Sequence, residues 1–145
     1  MTTVKKSTRP ISETEISRIW HLIDAKDQIL GRCAPEIATL LQGKNKRSHV
    51  PYLDIGDNVI VVNAELIKVT GKKNTQKIYD RYSGYQGGRK TLTYKEMMIK
   101  DPTKVIREAV SGMLPKNKLR DPRLSRLHIY KGAEHPFSHK LKLDK

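Results

Sequence analysis

The sequence predicts an α/β fold: a small, mostly parallel four-stranded sheet with helices on both faces and long basic loops between the elements. Three observations carry this expectation. Asn58-Val59-Ile60-Val61-Val62-Asn63 is a continuous apolar run between polar ends, the pattern of a strand buried on both faces. Two stretches, 30–41 and 105–114, place apolar residues at helical spacing. Short strand-forming stretches alternate with these helices, which implies right-handed crossovers and parallel pairing.

The elements follow in order. Ile19-Trp20-His21-Leu22-Ile23 is rich in strand formers and ends at Asp24-Ala25, so it is the first expected strand. Leu30, Ala34, Ile37 and Leu41, with Cys33 and Leu40 beside them, share one helical face, and Gly43 supplies a C-cap. Pro35 is tolerated only near a first turn, which puts the helix start around Arg32. Ala64 to Val69 is expected as a short helical turn, and Lys77-Ile78-Tyr79-Asp80-Arg81-Tyr82 as the third strand, with weak alternation. Thr93-Tyr94-Lys95-Glu96 has the form of a capping box opening a short helix that carries Met97 and Met98. Asp101-Pro102 offers an N-cap with proline at the first helical position. Behind it Val105, Ile106, Ala109, Val110, Met113 and Leu114 form an apolar stripe that Pro115 ends. Asp121-Pro122 repeats the cap-and-start signal for a brief turn, and Leu127-His128-Ile129-Tyr130 is the last strand.

At 145 residues the chain makes one domain that buries about two-thirds of its unfolded surface. Its longest apolar run, Val59 to Val62, is far short of the roughly twenty residues of a membrane span. The N-terminus has no apolar secretory core. Lys5, Lys6 and Arg9 in polar surroundings suggest a flexible basic arm over 1–17, and Glu13 and Glu15 argue against an organelle transit peptide. A single α/β domain is expected over 18–136 and a basic tail over 137–145. The one cysteine, Cys33, excludes an internal disulfide, fits a reducing compartment and is expected as a small buried apolar residue.

Charge narrows the partner. Lys and Arg number 29 against 15 Asp and Glu, for a net +14. Residues 43–49 contribute +3, 71–90 contribute +5 and 112–145 contribute +6, while the apolar-rich segments between them nearly cancel. Cations gathered in Gly-, Pro- and Asn-rich connections suit a polyanion, and nucleic acid is the expected one. In the first stretch, Lys44, Lys46 and Arg47 follow a helix C-terminus, where dipole complementation and solubility are the simpler account. In the second, Arg81, Arg89 and Lys90 flank Tyr82-Ser83-Gly84-Tyr85-Gln86-Gly87-Gly88. That segment is either a flexible turn or a backbone that approaches phosphates with tyrosines free to stack. In the third, Lys116, Lys118, Arg120, Arg123 and Arg126 place five cations in eleven residues, more than helix capping needs.

No catalytic constellation appears. The chain has neither a G-x-G-x-x-G after a strand nor a P-loop. Asp54 and Asp57 fit a turn before the buried strand better than a metal pair, and Pro136 between His135 and His139 opposes a helical metal site. A nucleotide- or nucleic-acid-processing enzyme is therefore the weaker reading, and no cofactor, metal, membrane or small-molecule substrate is expected.

At this level of detail the residues resemble a known family, the large-subunit ribosomal protein thirteen family in its bacterial form. The resemblance covers 19–136. It runs through Trp20-His21-Leu22-Ile23-Asp24-Ala25 and Ile29-Leu30-Gly31-Arg32, then Gly56-Asp57-Asn58-Val59-Ile60-Val61-Val62-Asn63-Ala64 and Val69-Thr70-Gly71-Lys72-Lys73. Lys77-Ile78-Tyr79 and Ser83-Gly84-Tyr85-Gln86-Gly87-Gly88 follow in order. Val110-Ser111-Gly112-Met113-Leu114-Pro115-Lys116-Asn117 is the most specific stretch, and Tyr130-Lys131-Gly132-Ala133-Glu134-His135-Pro136 closes it. The resemblance implies a three-layer α/β/α fold, binding to large-subunit ribosomal RNA, neighbouring ribosomal proteins as further partners, no homo-oligomer, and a structural role in assembly within a cytoplasmic or organellar ribosome. Carried over by motif, the RNA-facing positions are Lys72, Lys73, Ser83, Gly84, Gly87, Gly88, Lys116, Asn117 and His135. The loop cations named above join them on charge alone. Two departures stand out: Phe137-Ser138-His139 replaces the family's second His and Ala-Gln, and Cys33 replaces an aliphatic residue.

Overall fold

Along the chain run β1 (Trp20–Asp24), α1 (Leu30–Gln42), β2 (Asn58–Val62), α2 (Lys73–Gln76), β3 (Ile78–Tyr82), β4 (Arg89–Thr93), α3 (Tyr94–Lys100), α4 (Pro102–Met113), α5 (Arg120–Ser125), β5 (Leu127–Ile129) and α6 (Ser138–Leu141). Single 3-10 turns stand at Glu13–Glu15 and Ala64–Leu66. The computed structural model describes residues 12–141. Of the expected basic arm and tail, residues 1–11 and 142–145 lie outside the described residues.

β2 is the centre of a three-stranded parallel sheet, order β1-β2-β5, with Trp20 opposite Asn58 and Leu127 opposite Val59. Val59, Ile60 and Val61 are fully buried, as the uninterrupted apolar run requires, and each such side chain contributes about 1.5–3 kcal/mol. Among the described residues this sheet has no fourth parallel strand. β3 pairs antiparallel with β4, Ile78 opposite Thr93 and Tyr82 opposite Arg89, in a separate two-stranded hairpin. Desolvation gives the reason. A place in the central layer would bury the charges of Asp80 and Arg81 at several kcal/mol each, more than Ile78 and Tyr82 could return. Those two side chains instead stay largely exposed.

The two long helices pack against each other rather than on opposite faces. Both crossovers, β1 to β2 and β2 to β5, step the same way across the sheet, and right-handed connections that do so leave their helices on one side. Ile23, Val59, Val61 and Leu127 meet Ile37 and Leu41 of α1 and Val105, Ile106 and Val110 of α4 in that core. The opposite face belongs to the C-terminal segment. Trp20 stacks on His128 at 5.7 Å and on Phe137 at 5.0 Å between ring centroids, and Lys140 Nζ lies 4.6 Å over the Trp20 ring. α6 rests on β1. Burial pushes the His128 pKa down, and the charges of Lys140 and Arg107 add to the effect.

Local signals hold at most ends. Thr93 and Glu96 form their capping box, and the Asp101 side chain accepts the Thr103 N–H ahead of Pro102 at the start of α4. α1 begins at Leu30, two residues before the expected start, which leaves Pro35 in the second turn. Pro35 and Gly31, whose carbonyl loses its usual partner, both lie on the exposed side, where water can replace the bond. Gly43 caps α1 at φ +72°, with the Lys44 N–H donating to the Thr39 carbonyl at 3.1 Å. Against that end the chain returns so closely that a Cβ on Gly56 would stand 1.7 Å from the Leu41 carbonyl oxygen.

Two outcomes are expected. Gly56→Ala should lower unfolding free energy by about 3 kcal/mol, because backbone must yield. Gly31→Ala, with open space around its Cβ, should gain about 0.5–1 kcal/mol in the same urea titration. The lowered folded pKa of His128 means its contribution is complete above an unfolded pKa of about 6.5 and fades as pH falls below it. His128→Phe keeps a ring in the stack and removes the proton, so its melting temperature should vary less than the parent's between about pH 7 and 5; parallel curves would contradict this.

Candidate nucleic-acid interface

The turn between α1 and β2 decides which cations face solvent. Asp57 is fully buried, and its Oδ1 lies 2.5 Å from Lys46 Nζ and accepts the Ile19 N–H at 3.0 Å. Its Oδ2 lies 3.0 Å from His21 Nε2. Burial pushes the Asp57 carboxyl up, but the bonds from Lys46, Ile19 and His21 outweigh it and hold the pKa below its ordinary value. Lys46 also donates to the Ser17 and Ile55 carbonyls at 2.7 and 3.0 Å.

Asp54, three residues earlier, accepts both terminal nitrogens of Arg126 in a bidentate pair. Arg123 Nε stands 3.6 Å from the same carboxylate, its side chain 3% exposed. Lys46, Arg123 and Arg126, all expected on charge to face phosphate, each stand against a carboxylate of the scaffold. A buried carboxylate such as Asp57 left unpaired would be strongly destabilising, and the half-buried Asp54 to a lesser degree, so each claims a nearby cation. The sequence held a signal for this: the apolar segment 50–70 carries net −2 between two strongly basic ones.

The remaining cations are outside. Lys44 and Arg47 are exposed beside the Lys46 anchor, and Lys116 and Lys118 are exposed ahead of α5, with Arg120 half-buried at its start. Asn117 serves the turn, its Oδ1 accepting the Leu119 N–H at 3.2 Å. α5 packs on α1, so the Asp54–Asp57 turn ties both basic segments to one corner of the scaffold.

The hairpin presents a second cationic surface. Arg81 stands opposite Lys90, and both are exposed with Arg89. Arg89 meets Asp80 at 2.7 Å, but a pair this exposed is worth only about 0–1 kcal/mol and leaves the arginine available. Gly84 and Gly87 adopt φ of +90° and +67°, and a Cβ on Gly88 would meet Ser83 Oγ at 2.0 Å, so the glycines close the turn. Tyr82 and Tyr85 are 66% and 79% exposed there, as a stacking platform requires.

Lys72 and Lys73 are exposed where α2 begins. His135 is half-buried with its ring 6.1 Å from that of Tyr130, beside the strand framework rather than in a basic loop. Burial raises the Cys33 thiol to about 11, in line with a packing residue. Among the described residues no helix is long and apolar enough to cross a membrane.

Comparison with known proteins adds a family. The model of the family described as ribosomal protein L13 matches residues 18–136. The chain is 52% identical over 135 residues to the large ribosomal subunit protein uL13 of Prochlorococcus marinus (strain MIT 9312), covering 93% of this chain and 94% of the relative. It is 53% identical over 125 residues to the protein of the same name from Roseiflexus sp. (strain RS-1), covering 86% of each. Over 121 residues it is 53% identical to that of Clostridioides difficile (strain 630), covering 83% of this chain and 85% of the relative.

The inward and outward cations should separate by measurement. Arg126→Ala strips a partner from Asp54 and should cost about 3 kcal/mol in denaturant unfolding. Lys118→Ala should change stability by no more than about 0.5 kcal/mol. Equal effects on stability would remove the distinction.

Proposed function

The chain belongs to the ribosomal protein L13 family, and from that premise we propose that it is a non-catalytic structural constituent of the large ribosomal subunit. It binds large-subunit ribosomal RNA and supports its assembly, as a single copy among neighbouring ribosomal proteins in the cytoplasm. The observation that carries this reading is the division of the cations. Three of the expected RNA-facing cations pair with Asp54 and Asp57 inside the scaffold, and most of those left over stand exposed on connections and on one hairpin, with Arg120 half-buried at the start of α5.

The proposed contacts are Lys44 and Arg47, Lys72 and Lys73, the hairpin's Arg81, Arg89 and Lys90, and Lys116, Lys118 and Arg120. Ser83, Gly84, Gly87 and Gly88 shape the hairpin end that brings Tyr82 and Tyr85 to the RNA. Asn117 holds the turn that presents Lys116 and Lys118, and His135, on the segment after β5, joins the contacts through the family motif it shares. Residues 18–136 are the binding unit, with the basic segments 1–17 and 137–145 adding cations at either end. Shape and backbone charge dominate recognition, because an RNA duplex keeps its base edges in a deep, narrow groove.

Sedimentation of a lysate should find the protein with the large subunit; recovery only in the soluble fraction would defeat the proposal. With purified material, Lys116→Ala combined with Lys118→Ala should weaken binding to large-subunit rRNA transcripts. The slope of log affinity against log salt should flatten by about 0.7–0.9 for each phosphate that is no longer neutralised. An unaltered slope would remove both lysines from the interface.

A further inference from the structure

Three stretches far apart in sequence meet at one groove. Ile29-Leu30-Gly31 at the start of α1, Val69-Thr70-Gly71-Lys72-Lys73 running into α2, and Gly112-Met113 at the end of α4 line an open groove of about 960 Å³. This volume is at the upper end of the roughly 300–1,000 Å³ of sites that bury whole ligands. The apolar lining comes from buried Leu30 and half-buried Val69 and Ala109, which make the floor, with the more exposed Met113 beside them. The rim holds Lys72, Lys73 and Lys77 against one carboxylate, Glu108, and is net positive. Lys77 is steadied by the Tyr79 ring, 5.0 Å from its Nζ.

The two halves of this surface ask for different chemistry in one ligand. The lysine rim favours an anion, while the floor would leave a phosphate unsolvated and suits the face of a flat ring, with the polarisable Met113 sulfur beside it. Gln76 and the rim carboxylate Glu108, both lining the groove, can pair with ring amide and exocyclic amino groups. A base joined to a phosphate meets all three demands. An extended peptide would need an open strand edge, whereas the walls are helix turns and a loop.

We propose that the groove receives one unstacked nucleotide of the ribosomal RNA, with its base on the apolar floor and its phosphate at Lys72 and Lys73. This inference rests on the rRNA-binding reading above and deepens it: the site would read a flipped or single-stranded position that duplex shape cannot supply.

Gly112 provides the test, since no heavy atom lies within 4 Å of where its Cβ would stand and the backbone there is ordinary helix. Gly112→Leu in the full chain fills the groove without removing a charge and adds helix propensity. The expected result with large-subunit rRNA transcripts is about tenfold weaker binding at the parent's melting temperature, the scale of one lost stacked base, with an unchanged salt slope. Gly112→Ala should bind nearly as the parent does. Lys72→Ala with Lys73→Ala should instead flatten the slope. Parent affinity in a stably folded Gly112→Leu would overturn the groove while leaving rRNA binding intact. A parent that ignores the transcripts even at low salt would overturn the earlier reading and this one with it. Should Gly112→Leu melt early, Gly31→Leu on the facing wall decides by the same criterion, because its Cβ also meets open space.

Discussion

Two carboxylates three residues apart, Asp54 and Asp57, hold together the corner on which the binding surface depends. Their turn presses backbone to backbone on the end of α1, at a separation only glycine allows at position 56. Asp57 then ties β1, through Ile19 and His21, to the loop after α1, through Lys46. Asp54 ties in α5 through Arg126 and Arg123. Without these pairs the turn would leave one buried and one half-buried carboxylate uncompensated, and the two basic segments would lose their common anchor.

The same arrangement explains how so basic a chain folds at all. A net charge of +14 opposes compaction by self-repulsion. Here the cations closest to the core are neutralised, and the rest are spread over connections, the hairpin and outer helix faces, where water and salt screen them. The exposed cations add little to stability, since surface pairs are worth about 0–1 kcal/mol at most. Their presence in such number is better explained by a polyanionic partner than by the fold.

The sheet's two faces are covered in different ways. One carries the long helices and the aliphatic core. The other is covered only in part, by the segment after Pro136, where Phe137 and Lys140 lie against Trp20 while Leu22 stays half exposed. That segment supplies the cover through its aromatic residue, Phe137. The hairpin adds an arm whose charged strands would be expensive to bury and are therefore free to carry exposed tyrosines.

What the sequence by itself determined are the features with a local cause. The central strand follows from an unbroken run at 59–62, α4 from its cap, proline and stripe, and the end of α1 from Gly43. The excess of cations, their three clusters and the family likeness were equally legible. Only the tertiary structure decided the pairing of β3, the shared face of α1 and α4, the inward turn of Lys46, Arg123 and Arg126, and the meeting of residues 31, 71 and 112 at one groove. Periodicity and capping are set by neighbours along the chain, whereas a side chain's partner and its access to solvent depend on segments that only folding brings near.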